Sequence, residues 1–183
     1  MNLASEYLNA VTRRFKNYKD LADKTFAQLN NDVDYHYQPN DASNSIAVII
    51  QHMSGNMLSR WTNILTEDGE KPWRKRDDEF GIFPTQTKAE LIEKWEAGWA
   101  CLFNALASFT EKDLLQTIYI RQEGLTLIDA INRQLAHYPY HVGQIVYTGR
   151  MIKDEQWQSL SIPKNGSEAY NKSNDLKDPA KKF

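Results

Sequence analysis

The sequence predicts an all-α domain, and three observations carry that reading. Apolar residues recur at steps of three and four through four long stretches, the signature of amphipathic helices. Ser or Thr stands where three of those stretches begin, the residue types that cap a helix by accepting a backbone N–H bond. Only one short run, Leu114 to Gln122, alternates as a strand would. At 183 residues and 41% hydrophobic content, the chain fills one core and is short for two domains.

The first helix is expected over residues 3–30, where Leu3, Tyr7, Val11, Phe15, Ala22, Phe26 and Leu29 share a face. Asn30, Asn31, Asp32, Pro39 and Asn40 then mark a loop, with Asp34, Tyr35, His36 and Tyr37 extended between them and His36 at the surface or a substrate edge. A second helix should open at Ser43, Asn44 or Ser45 and continue to about Leu65, burying Ile46, Ile50, Met53, Met57 and Trp61. Residues 66–86 are too long for a tight turn; Arg74, Lys75 and Arg76 are followed at once by Asp77, Asp78 and Glu79, the pattern of a solvated connector. Thr87 and Glu90 fit a capping box for a third helix running to about Thr110, with Cys101 a small residue beside its core stripe. Leu114–Gln122 reads as an extended strap turned by Glu123-Gly124, and Thr126 caps a fourth helix ending near Ile152, with a kink expected at Pro139. The helices thus occupy residues 1–158. Residues 159–183 form a polar tail, to be held by the helices or by a partner subunit.

The fourth helix carries the chemistry. His137 and His141 lie one turn apart on one face, inside a polar line of Gln134, His137, His141, Gln144 and Thr148 that flanks the apolar stripe. The second helix repeats the pattern: His52, Asn56 and Ser59 run beside its stripe, and Gly55 sits mid-helix where a glycine costs about 1 kcal/mol relative to alanine, so something needs room there. Three imidazoles make an open divalent-metal site, His52, His137 and His141. Asn56, Ser59, Gln134 and Gln144 are candidates to orient those ligands or a substrate. No carboxylate is visible beside the histidines.

A net charge of −2 argues against nucleic-acid binding. The single cysteine excludes an internal disulfide, no apolar run is long enough for a spanning helix, and no leader is visible, so a cytoplasmic location is expected.

His52 within Ile-Ile-Gln-His-Met-Ser-Gly-Asn-Met, the long connector and the run His-Tyr-Pro-Tyr-His-Val-Gly-Gln-Ile resemble the DinB-like superfamily. The segment from Ser59 through Glu79-Phe80 is similar to an uncharacterised bacterial branch of it. The resemblance implies a four-helix bundle in up-down-down-up order, with residues 66–86 as the crossover. It also implies one divalent ion per chain on His52, His137 and His141: nickel or zinc first, iron or manganese next. Characterised relatives use bacillithiol, mycothiol or glutathione, which implies a small-molecule thiol and an electrophile as substrates and S-transfer as the reaction. Metal-dependent hydrolysis and a non-catalytic, metal-stapled protein are the other readings. A homodimer is expected as well.

Overall fold

The computed structural model describes residues 2–81 and 85–183, and the chain is mostly helical. Helix α1 spans Leu3–Gln28, capped by Asn2, whose side chain accepts from Ser5 N. A five-residue helix α2, Asp32–His36, follows where an extended segment was expected. Asn31 and Asp34 form a reciprocal capping box that supports it, and Tyr35 is fully buried. Helix α3 runs Ile46–Trp61 from Ser45, which accepts from Val48 N. It stops short of Leu65 because Asn63 takes a left-handed conformation, φ 49°, that no helix continues through.

Helix α4, Lys88–Ser108, opens on the expected Thr87–Glu90 capping box. Strands β1, Thr117–Ile120, and β2, Glu123–Thr126, form an antiparallel hairpin. Its turn is Arg121-Gln122, both at positive φ, and not Glu123-Gly124. Asp68 explains the shift: its carboxylate accepts from Arg121 N and Gln122 N, each at 2.8 Å, and so fixes a turn that no glycine favours. Helix α5 runs Leu127–Lys153 from Thr126 and passes through Pro139 uninterrupted. A short helix α6, Ser167–Lys172, lies in the tail.

The four long helices share one core of tightly packed aromatic rings. Phe15 of α1 meets Trp99 of α4 and Tyr138 of α5 at ring-centre distances of 6.3 and 5.9 Å. Trp61 Nε1 donates to the Tyr138 hydroxyl, which donates in turn to Asn56 Oδ1, each at 3.0 Å, so the buried polar atoms are paired and α3 is tied to α5. Between α3 and α4 the contacts climb together, from Ser54 Oγ on the Lys94 carbonyl to Thr62 beside Cys101. Gly98 permits this approach, since a Cβ there would lie 3.0 Å from the Ser54 Cα. These two helices therefore run the same way, and the intervening chain must travel back along the molecule before α4 can start.

That connector is only partly solvated. Ser59 Oγ donates to the Gly69 carbonyl and accepts from Lys71 N, Arg60 also donates to Gly69 O, and Gly69 N donates to Tyr119 O. Farther on, Arg76–Phe80 forms a turn of 3₁₀ helix against α3. The tail lies on α1: Arg14 donates a two-pronged bond to Asp178 at 2.5 and 2.7 Å, Lys182 pairs with Asp20, and Ala180 is buried. Among the described residues, no helix is long and apolar enough to cross a membrane.

Candidate metal centre

The polar lines of α3 and α5 face each other. Ring centres of His52, His137 and His141 lie 4.8–5.6 Å apart, and the nitrogen each offers lies within 4.8 Å of the other two. Three histidines so placed can hold a metal ion.

Each imidazole is held from behind. His52 Nδ1 lies 3.0 Å from Glu79 Oε2, His137 Nδ1 3.0 Å from Gln134 Oε1, and His141 Nδ1 2.8 Å from Gln144 Oε1. An ionised carboxylate and an amide oxygen only accept, so this arrangement puts every imidazole proton on Nδ1 and leaves Nε2 as the free donor atom. His137 Nε2 and His141 Nε2 then meet at 3.1 Å, lone pair to lone pair. That contact calls for a cation, or else for one imidazole to move its proton and one glutamine to turn over. Nitrogens sharing one tetrahedral ion at bonds of about 2.0–2.1 Å stand roughly 3.3 Å apart. The His137–His141 pair therefore has the spacing of two ligands of one divalent ion, with the nitrogen offered by His52 within 4.8 Å of both.

The electrostatics agree. Burial pushes the His137 pKa down to about 3, helped by the neighbouring His141, His52, Arg60 and Arg133. Burial likewise lowers His141, against a raising contribution from Gln144. Both rings are therefore neutral at physiological pH, the form that ligates.

The sequence-predicted residues divide by role. Gln134 and Gln144 support ligands directly, Asn56 ties α3 to α5 through Tyr138 one turn beyond His52, and Ser59 fastens the connector instead of facing the histidines. His36 lies apart, its Nε2 2.7 Å from the Gln86 carbonyl.

Sequence reasoning missed Glu79. The connector delivers a carboxylate to the cluster after all, and it is locked there: Arg74 donates to its two oxygens at 2.7 and 2.8 Å, with side-chain exposures of 2% for Arg74 and 10% for Glu79. Burial alone would raise the Glu79 pKa, but the bonds from His52 and Arg74 outweigh it and hold the group below the usual carboxylate range. Phe80 lies against His52 at a ring-centre distance of 5.0 Å, and the Arg76 guanidinium sits over Phe80. The sequence did carry one signal for this, Gly55: a Cβ there would overlap the Glu79 carboxylate.

A family model described as Protein of unknown function (DUF1572) matches residues 2–166. Neither a curated protein nor a solved structure matches the chain.

Proposed function

The chain belongs to that family, and from this premise we propose that it is a metal-dependent enzyme transferring a small-molecule thiol, of the bacillithiol type, to an electrophile. His52, His137 and His141 hold one divalent ion in this reading, nickel or zinc before iron or manganese. The observation that carries it is the convergence of three histidine nitrogens within 4.8 Å of one another, on rings that are each anchored through Nδ1. An ion bound by three neutral ligands keeps its charge available to lower the pKa of a thiol or water beside it.

The chain's own groups set the rest. Gln134, Gln144 and Glu79 hold the imidazole protons away from the centre, and burial keeps His137 unprotonated. Glu79 has both oxygens engaged, so it positions His52 and is not free to take a proton from water as the base of a zinc hydrolase would. Thiol transfer therefore ranks above hydrolysis. We also assign the four long helices, residues 1–158, to an up-down-down-up bundle of the DinB-like kind with residues 159–183 as its tail; the contacts that climb together between α3 and α4 support this.

The test uses metal-loaded protein with bacillithiol or glutathione and a chloronitrobenzene acceptor. Turnover is expected in wild type and in Cys101→Ser, with a fall of at least about a hundredfold in His141→Ala. Turnover of esters without thiol transfer moves the assignment to hydrolysis. A well-loaded wild type inert toward both overturns the enzyme reading in favour of an ion that only joins α3 to α5.

The protein is proposed to act as a cytoplasmic homodimer, on the prevalence of twofold pairs among soluble oligomers. Light scattering should give twice the chain mass of 21.2 kDa. A single-chain mass throughout the micromolar range defeats the dimer.

A further inference from the structure

A cavity of about 390 Å³ adjoins the cluster on the His141 side. Gln144 joins the two, because its Oε1 holds His141 Nδ1 while the residue itself lines the cavity. With that oxygen engaged, the amide N–H₂ group is the part left to donate to a ligand. The Tyr140 and His141 rings meet in a T-shaped contact at a ring-centre distance of 5.1 Å, so the wall of the cavity continues into the wall of the site. Tyr140, Gln144, Tyr147 and Met151 recur at steps of three and four along α5, which places them on one face, and Ile49 of α3 closes the floor one turn before His52.

Among the described residues, no Lys, Arg, Asp or Glu lines this cavity; the one beside Cys101 is uncharged too but holds no residue bonded to the cluster, whereas the one beside α2 carries Asp32 and Asp34, and the one at the far end of α1 carries Lys24 and Lys153. Neither of those two includes a histidine of the cluster or a residue bonded to one. Tyr140 and Tyr147 are 64% and 67% exposed, which is uncommon for two large rings flanking one hollow and points to contact with a ligand. The volume falls within the usual range of about 300–1,000 Å³ for small-molecule sites.

We propose that this cavity binds the electrophilic co-substrate, and that the co-substrate is an uncharged aromatic molecule lying between Tyr140 and Tyr147 with a polar substituent toward the Gln144 amide. The assignment rests on the transferase reading for the word co-substrate, but the binding itself does not. A charged ring would give up hydration in a lining that has no counter-charge to offer. A neutral ring gives up little and gains stacking with the tyrosines.

The experiment titrates three probes of one shape, benzamide, benzoate and benzamidine, into the purified chain by ligand-detected NMR. The proteins are wild type, Tyr147→Ala and Ala42→Trp, the last filling the mouth from an exposed loop position without touching the core. Metal content is measured on each sample. Benzamide is expected to bind at least about tenfold more tightly than either charged probe, and both variants to weaken it by about two- to tenfold, with metal content unchanged. Equal binding of all three probes, or unaltered benzamide binding in both variants, overturns the proposal. Benzamide binding to a protein that holds no metal leaves the cavity assignment standing and removes the metal reading; metal loading without benzamide binding does the reverse.

Discussion

His137→Ala is expected to retain less than about a tenth of the metal that wild type holds after desalting, measured by elemental analysis of both proteins. Loss of a group that merely orients a ligand typically costs 10–100-fold in affinity, and loss of a ligand should cost more. The remaining pair, His52 and His141, would leave the ion mostly to water. His137 is suited to the test because its removal should not harm the fold: the ring is partly exposed, it lies mid-helix in α5, and alanine has the highest helix propensity. It also ends the 3.1 Å meeting of two imidazole nitrogens, which is favourable only with a cation or a shifted proton between them. Without metal, the variant should therefore melt no more than about 3 °C below wild type, and with metal it should lack the rise that wild type shows. Equal metal in the two proteins removes His137 from the ligand set.

How far the sequence reaches is clearest at this cluster. The facing polar lines on α3 and α5 were legible because helical spacing alone brings His137 over His141 and sets His52 beside its own core stripe. The helix starts at Thr87 and Thr126 were legible for the same local reason, since a cap is a contact between residues three apart, and the start of α3 was legible to within Ser43, Asn44 and Ser45, of which Ser45 caps it. Elements decided by distant partners were not. Helix α2 is too short for periodicity to register, and Tyr35 is buried only because other elements close over it. The hairpin turn is set by Asp68, more than fifty positions away, against the local preference for glycine. The connector reads as a balanced charge run, and which of its carboxylates leaves water depends on the shape of the hollow over Gly55 and on Arg74 arriving with it.

Glu79→Ala is expected to cost about 3 kcal/mol of stability, the low end of the roughly 3–5 kcal/mol for removing one partner of a buried ion pair. Arg74 explains both the size and the ceiling. Its side chain is 2% exposed and would lose two short bonds, yet Glu70 stays within 3.3 Å and retains part of the charge compensation. In a chain of this size such a loss lowers the melting temperature by about 6–12 °C. Added salt should change the difference little, because a buried pair is poorly screened. The same substitution frees His52 Nδ1, so metal affinity should fall by about 10–100-fold, as when a carboxylate behind a ligating histidine is removed. Two further variants separate the effects. Glu79→Gln keeps the shape but has a single uncharged acceptor oxygen to serve both Arg74 and His52, so it should lie between wild type and alanine on both scales. Gly55→Ala keeps every charge and displaces the carboxylate from α3, so it should weaken metal binding while Arg74 and Glu79 remain able to pair. If Glu79→Ala binds metal as wild type does, the carboxylate holds the connector and has no part in positioning His52; if instead its stability is unchanged, the buried pair is not what fastens the connector to α3.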